Sequence, residues 1–194
     1  MQYIDKIEEK TDNEIIVLIR QDPDFLSYII DRYTDRLDKY ISRRTKVDKH
    51  EKEDILQDIF IKVYLNINEF DNSLIFSSWI YRIAHNYIID WYRKNKKHQH
   101  ISIDDEENKL IHFIEDENQD FNNNEILIIK ENTDMLKKEI ENLSKDYQEV
   151  LMLKFFEDKS YEEISDILKI SINSVGVKIN RAKKILKNKL KLKK

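Results

Sequence analysis

Residues Gln57–Lys97 read QDIFIKVYLNINEFDNSLIFSSWIYRIAHNYIIDWYRKNKK. Together with Ile55 and Leu56 just ahead, Ile59, Phe60, Val63, Tyr64 and Ile67 recur three and four apart, the period of a helix burying one stripe. A polar loop, 69–78, comes next and holds Phe70 and Phe76. From about Trp79 the helical period resumes, with Ile80, Ile83, Ala84, Tyr87, Ile88 and Trp91 on the core side. Arg82, His85, Asn86, Arg93, Lys94, Lys96 and Lys97 fall on or beyond the other side. No two-residue alternation bounded by turn chemistry marks a strand. One Gly and one Pro in 194 residues leave few helix breakers. The expected fold class is all-α, two small helical domains joined by a flexible acidic linker.

Toward the N-terminus, Thr11 and Glu14 have capping-box spacing ahead of Ile15, Ile16, Leu18 and Ile19, a short amphipathic helix. Asp22-Pro23 restarts the chain, with Asp as cap and Pro at the first helical position. Phe25, Leu26, Ile29, Ile30, Tyr33, Leu37, Tyr40 and Ile41 then share one helical face, and Arg32, Arg36 and Lys39 are expected to be solvated. A polar break is expected over 48–53. Beyond it Glu53, Asp54, Gln57, Asp58 and Lys62 lie opposite the apolar stripe. Carboxylates at that end of a helix either complement its dipole or offer a docking face to a basic partner, and the residues alone do not choose.

The net charge of −4 conceals a segregation. Every charged residue from Lys169 onward is basic, whereas the charged residues from Asp104 to Glu125 are all acidic apart from Lys109. The basic end suits a polyanion that the acidic middle would repel. Residues 98–124 lose periodicity and read as an acidic linker. His98 and His100 have no convergent partner ligands there, so no metal is expected. Without Cys, a Gly-rich phosphate loop or a ligand cluster, neither enzymatic chemistry nor a cofactor is expected. The first residues carry no targeting pattern and no run approaches a membrane span, so the expected location is the cytoplasm.

Asn124 and Glu125 open a further helix carrying Ile126, Ile129, Thr133, Leu136, Ile140 and Leu143, either a short coiled-coil seam or a face packed on the next domain. Ser144 has the chemistry of a cap for the next helix, with Tyr147, Val150, Leu151, Leu153 and Phe155. Ser160 and Glu163 form a second capping box, with Ile164, Ile167 and Leu168 inward. After the turn at 169–172, a basic helix over 173–189 turns Val175, Ile179, Ala182 and Leu186 inward. Ser174, Val177, Lys178, Arg181 and Lys184 are left outward or at its edge. Two helices joined by a tight turn, the second basic, make a helix-turn-helix suited to a major groove. In the first half, mixed aromatic, amide and basic groups suit single-stranded or melted nucleic acid.

Four motifs in order, DILQDIFIKVY (54–64), FDNS (70–73), WIYRIAHN (79–86) and YEEI…NRAK (161–183), resemble the extracytoplasmic-function (ECF) sigma factors of bacterial RNA polymerase over nearly the whole chain. The resemblance implies a region 2-like domain over 1–97, a linker over 98–124 and a region 4-like domain over 125–194. It implies that Asp54, Gln57 and Asp58 dock on the clamp helices of the largest polymerase subunit. Phe70, Asp71, Asn72, Ser73 and Phe76 would belong to the loop that captures a flipped base of the minus-ten element, which Asn86 also contacts. Arg93, Lys94, Lys96 and Lys97 would track that DNA's backbone, while Ser174, Lys178, Arg181 and Lys184 would meet the minus-thirty-five element. The implied partners are core polymerase and promoter DNA, with an anti-sigma factor admitted as a third. Two departures stand out: Lys169 where the family usually has Gly, expected to loosen the turn, and Gly176 in place of a common Lys or Arg, expected to remove a DNA contact. A freestanding helix-turn-helix regulator would explain only 160–189. A polymerase-binding module without initiation activity would account for both departures.

Overall fold

The computed structural model describes residues 7, 9–95 and 133–191, and every regular element among them is helical. The expected linker, Lys96, Lys97 and the start of the helix expected at Asn124 lie outside the described residues. The chain divides into two compact units, Met1–His100 and Ile101–Lys194. Among the described residues no helix is long and apolar enough to cross a membrane.

In the first unit, α1 (Asp12–Ile19) begins with the capping box, Thr11 and Glu14 each satisfying the other's backbone N–H. Asp22 caps a 3-10 turn (Pro23–Phe25), which leads into α2 (Leu26–Arg44). The break expected at 48–53 is instead the first turn of α3 (Lys49–Asn66). Asp48 Oδ1 accepts from Glu51 N at 2.9 Å, and the charged residues of that turn face water without interrupting the helix. The real break is the extended backbone before Asp48. A 3-10 turn (Ile67–Glu69) and a loop connect to α4 (Phe76–Lys94), which starts three residues earlier than its apolar period indicates.

The core of this unit joins Ile15, Ile16, Ile29, Leu37, Ile55, Ile59, Val63 and Ile80 with a set of rings. The buried side of α4 departs from expectation: Ile83, Tyr87 and Trp91 are half-buried, while Tyr81, His85 and Tyr92 are buried. All three reach α2 or its end. Tyr81 stands edge-on to Tyr40 at 5.2 Å, Tyr40 Oη lies 3.4 Å from His85 Nδ1, and Tyr92 Oη donates to Arg44 O at 2.7 Å. His85 is therefore a core residue, not one of the solvent-facing groups. Arg32 is not simply solvated either, for its Nη1 donates to Asp12 Oδ1 at 2.6 Å.

The second unit comprises α5 (Thr133–Glu141), α6 (Lys145–Phe155), α7 (Tyr161–Leu168) and α8 (Ile172–Lys191). Ser144 holds the N-cap position of α6 without a side-chain cap bond. Buried Gln148 ties the corner instead, donating to the carbonyls of Ile140, Glu141 and Leu143 at 3.1, 2.6 and 3.1 Å. The Ser160–Glu163 capping box forms. Val175, Ile179, Ala182 and Leu186 are all buried, at 1% exposure or less, the register expected for α8.

Both departures resolve locally. Lys169 adopts the left-handed conformation, φ 54° and ψ 44°, and the turn closes as it would around Gly: Ile170 N donates to Ser165 O at 3.2 Å and Ser165 Oγ to Ile170 O at 2.6 Å. The substitution is absorbed as local backbone strain, not as a looser turn. Gly176 faces α7, where an added Cβ would stand 3.5 Å from Tyr161 Cε2, an ordinary van der Waals distance. Its position is a helix crossing. Lys169→Gly is therefore expected to stabilise the second unit by about 1 kcal/mol by relieving the left-handed strain, since the exposed Lys169–Asp166 pair it removes is worth little. Gly176→Ala is expected to add about 1 kcal/mol through helix propensity. Thermal unfolding of each variant checks both.

Candidate nucleic-acid interface

Helical geometry makes the first surface. On α3, Asp54, Gln57, Asp58, Ile61 and Leu65 succeed one another at spacings of three, one, three and four along one side, and all are exposed. Ile61 and Leu65 are 54% and 68% exposed, so the stripe mixes carboxylates with bare apolar groups. Tyr64, expected in the buried stripe, is 45% exposed beside them. Asp58 is held from α4, as Tyr87 Oη donates to its Oδ2 at 2.5 Å and Lys62 Nζ lies 5.8 Å from the Tyr87 ring centroid. Burial first, then the bond to Asp58, pushes the Tyr87 hydroxyl well above the usual tyrosine range. Ile61 and Leu65 were legible in the sequence, since both fall out of phase with the buried stripe.

The second surface is the loop between α3 and α4. Phe70 and Phe76 are 3% and 1% exposed, packed against one another at 5.4 Å and against Trp79 at 5.2 and 5.5 Å. Tyr33 meets Phe76 edge-on at 5.6 Å. The two rings are anchors that point into the core and present nothing to a ligand. What the loop does present is Asp71, Ser73, Leu74 and Ile75, all exposed. Asp71 Oδ1 accepts from Ser73 N at 2.9 Å, an Asx-type turn, and Leu74 N donates to Asp71 O at 2.9 Å. Asn72 Oδ1 is buried with no hydrogen-bond partner, an acceptor left open in the loop. Residues from α1 and its end reach across: Asn13 Nδ2 donates to Asn72 O at 2.8 Å and to Leu74 O at 3.2 Å. Arg20 Nη2 donates to Ile67 O at 3.1 Å and also to Phe70 O. Nothing local in the sequence points to these two residues, because their partners lie 47 to 61 positions away.

On α4, Asn86, Arg93 and Lys94 are exposed, and Arg93 Nη2 pairs with Asp90 Oδ1 at 2.8 Å. That pair is weak by its exposure and leaves the guanidinium open to exchange.

The last surface is a groove of the second unit, lined by Ser174, Val177, Lys178 and Arg181 of α8 and by Ser144, Asp146 and Tyr147 at the start of α6. Ser171 Oγ accepts from Ser174 N at 3.2 Å and lies 2.8 Å from Ser174 Oγ, which fixes the beginning of α8. Arg181 and Lys184 are exposed. Lys178 Nζ is 2.5 Å from Asp146 Oδ2. Other cations of the basic end serve the fold: Lys183 is buried, 5.3 Å from the Phe155 ring centroid, and Lys189 Nζ pairs with buried Glu139 at 3.2 Å.

Known proteins share this division. The family described as Sigma-70 region 2 matches residues 29–98, and that described as Sigma-70, region 4 matches 133–186. The ECF RNA polymerase sigma factor SigW of Bacillus subtilis (strain 168) is 30% identical over 171 residues, 88% of this chain and 91% of that protein. The ECF RNA polymerase sigma-E factor of Haemophilus influenzae is 27% identical over 188 residues, 94% and 97% of the two chains. A solved structure, CnrH in complex with the cytosolic domain of CnrY, covers 94% of this chain and 99% of that one with a TM-score of 0.62 at 19% identity, a likeness of fold.

The loop geometry carries a pH signature. Its backbone bond from Ser73 holds the Asp71 carboxyl below its ordinary value of 3.8. A depressed value means the turn's stabilisation is complete above that ordinary value and is lost as pH falls through the lower, folded one. The Ser73 amide resonance is therefore expected to hold its position down to about pH 4 and to move only below it. Asp71→Ala should abolish that transition.

Proposed function

Since this chain belongs to the ECF group of the sigma-70 family and is an RNA polymerase sigma factor that directs transcription initiation, we propose a division of that task among its surfaces. Residues 1–97 act as the region 2-like domain and 125–194 as the region 4-like domain, joined by the acidic linker 98–124, which threads near the polymerase's RNA exit path. The stripe Asp54, Gln57, Asp58, Ile61 and Leu65 docks on the largest polymerase subunit. The observation that carries this reading is the exposure of Ile61 and Leu65 beside three polar groups on one face, a composition suited to a partner's surface. Carboxylates alone would complement the dipole just as well; bare isoleucine and leucine would not.

The loop takes an unstacked base of the minus-ten element. Its exposed Asp71, Ser73, Leu74 and Ile75 supply the contacts, joined by the unpartnered Asn72 acceptor once base entry uncovers it, with Phe70 and Phe76 setting the loop's shape. Asn86 lies on the same DNA, and Arg93, Lys94, Lys96 and Lys97 neutralise its backbone, which positions the strand without reading it. Binding a splayed base offsets an unstacking cost of a few kcal/mol. In the other domain, Ser174, Lys178, Arg181 and Lys184 meet the minus-thirty-five element, where Lys178 exchanges the Asp146 carboxylate for DNA. The chain performs no bond chemistry of its own and works in the cytoplasm with core polymerase and promoter DNA. An anti-sigma factor is the third partner we infer.

Run-off transcription with purified core polymerase on a pool of promoter fragments tests the assignment. Asp58→Arg and Leu65→Asp are each expected to weaken core binding about tenfold or more and to lose transcription in proportion. Asn86→Ala is expected to keep core affinity and lose transcripts from promoters that need melting. Wild-type core affinity in both α3 variants would remove the stripe from the docking surface.

A further inference from the structure

The region 2 match begins at residue 29, so α1 lies ahead of it and none of the surfaces above accounts for that helix. Asn13 on α1 and Arg20 at its C-cap are seven residues apart, which places them on one side of the helix about 10 Å from each other. From there they bracket the loop. Arg20 holds the carbonyls of Ile67 and Phe70 at the loop's entrance, and Asn13 holds those of Asn72 and Leu74 at its exit. Asp71 lies between the two grips, and Ser73 between the two carbonyls that Asn13 holds. The platform is itself fixed: Asp12 accepts from Arg32 Nη1 at 2.6 Å and Tyr33 Oη at 2.5 Å, and Ile15 and Ile16 are fully buried. Asn13 and Arg20 are only half-buried and exposed, so neither contributes much to that apolar contact.

We propose that α1 is a clamp that fixes the conformation of the base-binding loop, with Asn13 and Arg20 as positioning residues for strand opening. The inference rests on reading that loop as the minus-ten contact. A charge-assisted grip at one end and an amide bridging two carbonyls at the other hold the loop's backbone before DNA arrives, so less ordering remains to be done when a base enters. Neither residue touches the base.

The test uses the full chain with core polymerase on the promoter selected by run-off transcription, with 2-aminopurine in the minus-ten element reporting opening. Asn13→Ala and Arg20→Ala are expected to lower the open-complex equilibrium roughly fivefold to tenfold, with core affinity and duplex minus-thirty-five binding unchanged. Preference for the matched over a mismatched minus-ten base should fall by a similar factor on a premelted template, a readout that overall stability does not move. Arg20→Lys, which keeps donors at that end, should recover part of the loss. Unchanged opening and base preference in both alanine variants, while Ser73→Ala and Asn72→Ala impair them, would overturn the clamp. Loss accompanied by weakened core binding would overturn it too, as damage to the whole unit. If the loop variants are equally without effect, the minus-ten reading of the loop fails first and the clamp falls with it.

Discussion

Tyr33 ties the first unit together. Its ring, fully buried on α2, meets Phe76 edge-on at the start of α4, while its hydroxyl donates to Asp12 at the start of α1. Burial first, and then that carboxylate, drives the hydroxyl far above the ordinary tyrosine range, so it remains a donor throughout the range in which the protein works. Three helices and the loop's aromatic anchors thus depend on one side chain with an apolar body and a polar tip. The starts of α1 and α4, and the loop that leads into α4, are positioned by the packing that this residue closes.

Charge in the second unit serves two ends. A run of ten basic residues suggests a continuous positive face, yet packing assigns several of them to structure. Lys183 lies over Phe155, Lys189 reaches buried Glu139, and Lys178 leans on Asp146, while Arg181 and Lys184 stay in water. The helix-turn-helix therefore meets DNA with fewer ready cations than its composition suggests. The acidic partners make the difference, since they come from α5 and α6, outside the basic segment.

Much of this was legible in the residues. Capping boxes at Thr11 and Ser160, the buried stripe of α8 and the mainly helical character come from local chemistry and period, and local chemistry decides them. The register of α4 was not, because a helix buried on more than one side loses its single stripe, and Tyr81, His85 and Tyr92 are drawn inward by partners on α2 or at its end. Phe70 and Phe76 illustrate the same limit. Sequence pattern identifies a loop with two aromatic residues but does not say whether the rings face a ligand or the core. Asn13 and Arg20 were invisible for a different reason: their partners are carbonyls, which every residue possesses.

That last property has a consequence for how the loop can change. A grip on main-chain oxygen is indifferent to side-chain identity, so the residues between Ile67 and Leu74 that face water, Asp71 with its turn-forming carboxylate apart, can be exchanged one by one while the frame around them stays as it is. Recognition and support are written in separate alphabets at this site. On the proposed minus-ten role of the loop, a lineage can drift from one promoter base to another through single substitutions there, without a compensating change in α1.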